Sequence, residues 1–170
     1  MLGACGKAKQ QSDVKNEDQS RWKTLEQKDF TIQYPDSFEL KTSGEMGVTF
    51  MLLSRQLSPN DLFRENINLL IQDLRGRNIS LDTYVKISEN QIATMIVDSD
   101  LIESKRIRNG DSKYQKVIYT GKQGAFDLKY EQYYIVENEK AYVLTLTAER
   151  NHFDAYQGIG EEIMNSFKLK

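Results

Sequence analysis

The sequence is poor in the residues from which disulfides and compact metal sites are built. Its 170 residues include one cysteine, one histidine and two prolines. A disulfide within the chain is therefore impossible, and a zinc site built on cysteine and histidine is not expected. No apolar run is long enough to cross a bilayer as a helix, so no transmembrane helix is predicted. The chain also has no internal repeat.

Charge of one sign is not in excess. The 23 lysines and arginines and the 25 acidic residues leave a net charge of -2. Nothing in this balance attracts the whole protein to nucleic acid, and no nucleic-acid partner is expected. A composition that is 39% hydrophobic and 28% charged is typical of a globular protein. The length fits one domain with a tail.

The single cysteine, Cys5, follows Leu2-Gly3-Ala4 near the start of the chain. An aliphatic residue, two small residues and a cysteine resemble the lipobox of bacterial lipoproteins, in which the thiol receives a diacylglycerol and a peptidase cuts before it. The resemblance implies that Cys5 is a lipidation site and that the protein lies in the bacterial cell envelope. Gly6, where an Asp would favour the inner membrane, favours the outer membrane if the cell has one. The alternative is that Cys5 is an ordinary residue of a frayed terminus.

A polar stretch, residues 6–20, follows this cysteine. It contains one β-branched apolar residue and no aromatic residue, so it cannot bury enough surface to offset the entropy of ordering. As a flexible tether it would span roughly 20 Å. We therefore predict a lipobox remnant and tether over residues 1–20 and a single domain over residues 21–170.

The clearest strand is 140–149, where neither face carries a charge between Lys140 and Glu149. A strand that is apolar or small on both faces is typical of the interior of a sheet that is covered on both sides. Tyr142, Leu144, Leu146 and Ala148 share one face of it. We therefore expect this strand in the middle of the sheet, with helices packed against it.

The remaining elements follow from apolar periodicity. Strands are predicted at 22–25, 30–34, 48–53, 67–71, 101–107, 114–120 and 126–136, and helices at 81–95 and from about 151 to 167. Ser80 and Asn151 are the predicted helix caps. A helix competes with the strand at 67–71, because Phe63, Ile67, Leu70 and Leu74 also fit helical spacing.

Three loops are predicted from turn chemistry. Asn109-Gly110 indicates a type I′ hairpin, Gly121-Lys122-Gln123-Gly124 a further turn, and 137–139 the turn into the interior strand.

Each predicted helix has one apolar stripe that is expected to be buried. In the first helix the stripe is Leu81, Tyr84, Val85, Ser88, Ile92 and Met95, and in the second it is Phe153, Tyr156, Ile159, Ile163 and Phe167. Together, the predicted strands and helices indicate an α+β domain with an antiparallel β-sheet sandwiched between helices, in α/β/α layers.

The order of elements resembles that of PsbP-like proteins, including the DcrB-like bacterial lipoproteins. The resemblance covers about residues 22 to 169. It rests on a strand followed by Tyr34-Pro35 and an aromatic residue, on 65–70, on the helix start at 80–85, and on 141–148 with a closing helix that ends in 165–167. It implies a fold with an antiparallel sheet between helices. These are structural motifs, so the resemblance names no catalytic residue.

Few residues have the spacing of a chemical site. His152, the only histidine, has no nucleophile or orienting acid placed near it by the sequence, and is interpreted as a surface residue at a helix start rather than a catalytic one. Asp98 and Asp100 lack the remaining ligands of a calcium loop. Gly121 to Gly124 lacks the spacing of a phosphate-binding loop. We therefore expect no catalytic residue, no metal ligand and no cofactor. The sequon Asn78-Ile79-Ser80 is interpreted as a chance match.

Five cations cluster on the hairpin around Asn109-Gly110: Lys105, Arg106, Arg108, Lys113 and Lys116. One interpretation is a charged hairpin that resists edge pairing. The other is a contact with anionic headgroups or an acidic partner. A second candidate surface consists of tyrosines, for most of which alternation favours a position in the core: Tyr114, Tyr119, Tyr130, Tyr133 and Tyr134.

These observations favour a monomeric, lipid-anchored envelope protein whose non-catalytic domain binds a protein partner or supports envelope assembly. The partners expected are the membrane, through the N-terminal lipid, and an envelope protein that the sequence does not identify. The alternative is a carrier of a small molecule or metal ion that uses a pocket between helix and sheet. An enzyme is the third possibility and would need polar residues that converge in a cleft.

Overall fold

The structure is a computed structural model that describes residues 21–110 and 112–170. Its strands are β1 (Trp22–Glu26), β2 (Phe30–Pro35), β3 (Glu39–Lys41), β4 (Phe50–Leu53), β5 (Asn66–Asp73), β6 (Val97–Asn109), β7 (Ser112–Gln123), β8 (Phe126–Glu137), β9 (Lys140–Glu149) and β10 (Lys168–Leu169). Helix α1 (Leu81–Met95) lies between β5 and β6, and α2 (Phe153–Asn165) lies between β9 and β10. Cys5 and the predicted tether lie outside the described residues.

The strands form two antiparallel sheets. The large sheet has seven strands in the order β3-β4-β5-β9-β8-β7-β6, and the small sheet has three in the order β1-β2-β10. Strands β6 to β9 are consecutive hairpins, so half of the large sheet is a meander. After α1 the chain re-enters the large sheet at β6, which is an edge strand, and the meander then runs back toward β5. Strand β9 therefore lies between β5 and β8.

Strand β9 is the interior strand of the large sheet, as its sequence predicted. Every residue from Ala141 to Ala148 is buried. Its even-numbered side chains, such as Leu144 and Leu146, belong to one core cluster, and Ala141 and Val143 belong to the other. A strand buried on both faces needs apolar or small residues throughout, which explains the absence of charge between Lys140 and Glu149.

The two helices contact opposite sets of strand residues. On α1, Tyr84 meets Tyr134 edge to face with ring centroids 5.7 Å apart. On α2, the backbone at Gly160 lies against Leu146. The small sheet joins α2 on this second face, because Phe30 and Ile32 of β2 belong to the same core cluster as Leu146.

The antiparallel α+β class predicted from the sequence is therefore confirmed. The simple layered picture is incomplete, because a second sheet shares the α2 face. The strand interpretation of 67–71 is also confirmed, since β5 pairs with β9 over eight residues, Asn66 to Asp73. Ser80 caps α1 as predicted, with its hydroxyl accepting a hydrogen bond from the Thr83 amide at 3.2 Å.

Several predicted details are wrong. Met95, the last residue of α1, is 74% exposed. Asn151 is not the cap of α2, whose first flanking residue is His152, and Phe167 lies beyond the end of the helix. Strand β6 begins at Val97, so Asp98 and Asp100 lie within a strand.

Two predicted turns are also displaced. Asn109 pairs with Ser112, which places Asn109 in β6 and leaves Gly110, with φ of 57°, as the first turn residue. Gly121 lies inside β7, where Ile96 occupies the space that a Cβ would need. The turn follows at Gly124, which has φ of 59°.

All five tyrosines of the candidate aromatic surface are buried. Tyr119 and Tyr130 stack on the α1 face with centroids 4.6 Å apart, and Tyr114 and Tyr133 stack on the α2 face at 4.3 Å. Core packing is thus their structural role. Among the described residues, neither helix is long and apolar enough to span a membrane.

The two glycines of α2 give a matched test of its packing. A Cβ at Gly158 meets nothing within 4 Å, whereas a Cβ at Gly160 lies 2.7 Å from Leu146 Cδ2. Gly158→Ala is expected to raise the free energy of unfolding by about 0.5–1 kcal/mol through helix propensity. Gly160→Ala is expected to be less stable than Gly158→Ala by about 1–3 kcal/mol through overpacking. Urea denaturation measures both; equal stabilities would show that α2 does not pack closely on β9.

Candidate functional site

The basic hairpin of β6 and β7 does not present its five cations as one surface. Arg106 donates to Gln115 and pairs with Asp82 of α1 at 2.5 Å, and Lys105 pairs with Glu103 at 3.1 Å. Arg108 and Lys113 are exposed and directly opposite each other in the register. These two form the cationic end of the hairpin.

Lys116, the fifth predicted cation, is held inside the protein. Its ammonium lies 3.0 Å from Glu131 of β8 and 2.5 Å from Glu161 of α2. Lys116 is 12% exposed, whereas Lys105, its neighbour across the β6–β7 pair, is 52% exposed. Lys116 is therefore not available to an external partner.

Glu131 of this ion-pair cluster is fully buried. Burial raises the pKa of Glu131, and the Lys116 ammonium opposes that rise. Burial disfavours the charge on Lys116, but Glu161 and Glu131 together outweigh it and raise the pKa of Lys116. Gln157 of α2 donates to Glu131 at 3.0 Å and completes the cluster. Its role is to join β7, β8 and α2.

A second polar cluster lies at the start of α2, around the single histidine. His152 Nδ1 is 3.2 Å from Glu65 Oε1 and 3.5 Å from Glu149 Oε2. Candidate ligand atoms of these three residues all lie within 4.8 Å of one another. The sequence alone placed no orienting acid beside His152, whereas the fold brings the carboxylates of Glu65 and Glu149 to it.

The topology explains how distant residues meet at this cluster. Glu65 comes directly before β5, Glu149 is the last residue of β9, and His152 directly precedes α2. Because β5 and β9 are antiparallel neighbours, with Asn66 opposite Thr147, the start of β5 lies beside the end of β9. The tight connection into α2 then brings His152 back over both strands.

Ser54 and Tyr156 support the buried carboxylate. Ser54 Oγ donates to Glu65 Oε2 at 3.2 Å, and the Ser54 amide donates to the Glu65 carbonyl at 2.8 Å. Burial raises the pKa of Tyr156, and the negative charge of Glu65 adds to the rise. Glu65 thus has the hydroxyl groups of Ser54 and Tyr156 as neighbours.

A serine, a histidine and a glutamate in one place do not form a hydrolase triad here. In a triad the histidine lies between the nucleophile and the acid, so that it takes the proton of the nucleophile. Here Glu65 lies between Ser54 and His152. The arrangement activates no nucleophile, whereas two carboxylates and an imidazole are the side chains that bind divalent cations.

The other candidates have plain structural roles. Asp98 pairs with Lys122 at 2.7 Å and is largely exposed, as is expected of a surface residue rather than a calcium ligand. Sequence reasoning missed Glu65 and Glu149, because Glu65 reaches His152 only through strand pairing. Glu149 stands three residues before His152, and this spacing across a helix start was the only local signal.

Comparison with solved structures identifies the fold. CyanoP, the PsbP protein of the cyanobacterium Synechocystis, superposes with a TM-score of 0.60 at 13% identity, and 99% of each chain is covered. The fold is PsbP-like. This confirms the fold that the resemblance implied from the sequence.

Two further bacterial structures share the PsbP-like fold. LpqN of Mycobacterium tuberculosis, described as involved in cell envelope biogenesis, has a TM-score of 0.61 at 10% identity over 88% of this chain and 90% of its own. A protein of unknown function from Pseudomonas aeruginosa has a TM-score of 0.61 at 11% identity over 86% and 95%. No family model and no curated protein matches the sequence. The likeness therefore lies in the fold.

The two cross-strand lysines provide a test of the buried cluster. Lys116→Met removes the cation and leaves Glu131 buried beside Glu161, which is expected to lower the free energy of unfolding by roughly 3–5 kcal/mol. Lys105→Met, on the opposite strand, removes only an exposed pair and is expected to cost less than about 1 kcal/mol. Chemical denaturation at neutral pH compares them. Similar losses in the two variants would contradict the burial of the cluster.

Proposed function

We propose that this protein is a bacterial envelope lipoprotein, anchored through Cys5, whose PsbP-like domain binds a protein partner and catalyses no reaction. The lipobox-like Leu2-Gly3-Ala4-Cys5 supports the anchor. The fold it shares with LpqN, a protein involved in cell envelope biogenesis, supports the location. Helix–sheet–helix layers, with the large sheet between α1 and α2, are part of the proposal.

The observation that carries the binding role is the open edge of β6. This strand is the last of the large sheet and pairs only with β7 within the described residues. Its first half is irregular, with register shifts between Val97 and Asp100 and between Leu101 and Glu103, whereas Glu103 to Asn109 pairs regularly. An unpaired regular edge offers backbone hydrogen bonds to an extended segment of another chain.

Charge and exposed apolar surface favour a particular kind of segment. Among the described residues, no carboxylate lies within ion-pair distance of Arg108 or Lys113. In the irregular first half of β6, Leu101 and Ile102 are about half exposed. An extended segment with acidic residues at one end and apolar residues at the other would complement the cationic end of β6 and the apolar residues of its first half.

The small-molecule alternative has less support. One surface depression of about 370 Å³ is lined by Ile71, Asp73, Arg75, Asn138 and Lys140. Another of about 450 Å³ lies around Asp36, Glu39, Arg55 and Arg64. Neither is lined by a residue of α1 or α2, so neither is the pocket between helix and sheet that this alternative requires.

The anchor is tested by metabolic labelling of the native host with an alkyne fatty acid. The wild-type chain is expected to carry the label and to fractionate with membranes, because a cysteine thiol in a lipobox receives the lipid. Cys5→Ala is the control and is expected to lose both the label and the membrane association. An unlabelled wild-type chain would refute the anchor.

The partner surface is tested by charge reversal at the end of the hairpin. Arg108→Glu/Lys113→Glu is expected to reduce the recovery of a cross-linked envelope partner at least tenfold, since like charges now face the acidic segment. Lys23→Glu/Lys28→Glu changes the net charge equally on the exposed β1–β2 hairpin and is the matched control. Equal recovery by both variants would remove the hairpin from the interface.

Sedimentation with phosphatidylglycerol vesicles separates a protein partner from a lipid surface. An unlipidated chain is expected to stay in the supernatant if the hairpin binds protein. Sedimentation that is lost only in Arg108→Glu/Lys113→Glu would instead show that the two cations bind anionic headgroups.

A further inference from the structure

The cluster at the start of α2 contains a buried carboxylate whose charge is poorly compensated. Glu65 is 2% exposed. Within the described chain, neither a lysine nor an arginine lies within 4.0 Å of the carboxylate of Glu65 or Glu149, and His152 is the one ion-pair partner of both. Two carboxylates thus share a single ring nitrogen. Buried charges in proteins are paired or coordinate metals, and one histidine cannot fully neutralise two carboxylates.

The distances within the cluster fit coordination of one small cation. In a tetrahedral site with bonds of about 2.0–2.1 Å, neighbouring ligand atoms are about 3.3 Å apart. His152 Nδ1 lies 3.2 Å from Glu65 Oε1 and 3.5 Å from Glu149 Oε2. The ligand atoms of all three residues lie within 4.8 Å of one another, so a cation between them would draw the two carboxylates together while His152 stays close to both.

The surroundings also match those of a metal site. Ser54 Oγ binds Glu65 Oε2, which orients the carboxylate and leaves Oε1 directed at His152. Hydrogen bonds from a second layer of residues commonly orient metal ligands in this way. On the outer side, Glu149 is 29% and His152 is 45% exposed, so a water molecule can reach a fourth position.

We propose that Glu65, Glu149 and His152 bind one first-row divalent cation, with Zn²⁺ as the best fit and water as the fourth ligand. One imidazole and two carboxylates suit Zn²⁺, whereas Mg²⁺ and Ca²⁺ favour six or more oxygen ligands. The cation would join the start of β5, the end of β9 and the start of α2. This site is independent of the anchor and of the edge of β6.

The test is isothermal titration of the full chain with Zn²⁺ alone. All proteins carry Cys5→Ser, so that the thiol does not compete for the metal. One Zn²⁺ is expected to bind per chain and to raise the unfolding temperature. Glu65→Gln and His152→Gln are each expected to weaken binding at least tenfold, because each removes one ligand. Ser54→Ala is expected to weaken it roughly 10–100-fold through loss of carboxylate orientation.

Asp154→Asn is the matched control, since Asp154 lies in the first turn of α2, is 92% exposed and is not in the cluster. It is expected to keep the affinity of the parent chain. Circular dichroism confirms that each variant is folded. Because His152 is the only histidine, its ring signals in NMR spectra report directly on coordination.

Three results would overturn the proposal. The first is an absence of Zn²⁺ binding by the folded parent chain. The second is an equal loss of affinity in Asp154→Asn and Glu65→Gln. The third is Zn²⁺ binding that leaves the His152 ring signals unchanged, which would place the ion elsewhere.

Discussion

The burial of β9 on both faces is the constraint on which the other elements depend. Apolar surface on two sides of one strand stabilises the fold only if separate layers cover each side. Helix α1 precedes the meander and α2 follows it. Residues of α1 share a core cluster with Ala141 and Val143 of β9, whereas residues of α2 share the other cluster with Leu144 and Leu146. The small sheet completes the α2 side, where Phe30 of β2 packs against Phe50 of β4 with ring centroids 6.0 Å apart.

The two sides of the sheet are held by different kinds of interaction. Aromatic and aliphatic packing dominates under α1, where Tyr84 packs on Tyr134 and Tyr119 on Tyr130. Under α2, charged groups are buried as well. Lys116 reaches Glu161 in the middle of the helix, and Tyr114 donates to Asn165 at its end, at 3.1 Å. Buried polar contacts restrict the position of a helix more narrowly than apolar contacts do. The reason is that a hydrogen bond forms over only a small range of distances and angles.

The local features of this fold could be predicted from the sequence. Strand β9 and helix α1 have clear apolar patterns, and Ser80 has the chemistry of a helix cap. Predicting these three features requires no knowledge of contacts between residues distant in sequence. The predictions are wrong where the environment of a residue depends on neighbours that are distant in sequence. Lys105 and Lys116 belong to the same predicted cationic cluster, yet only Lys116 faces Glu131 and α2. Gly121 was assigned to a turn, whereas its small size makes room for Ile96 at the end of α1.

The cluster around His152 shows the same limit most clearly, because its three residues come from a strand start, a strand end and a helix start. No spacing in the sequence relates Glu65 to His152, 87 positions away; the antiparallel pairing of β5 with β9 does. That pairing is itself a consequence of the interior position of β9. At the far end of α2, the backbone amide of Gln33 in β2 donates a hydrogen bond to Ser166 Oγ at 2.8 Å. The helix is thus fixed at its start, middle and end. His152 is therefore held in one place relative to Glu65 and Glu149, and a fixed arrangement of ligands lowers the reorganisation needed to bind a cation.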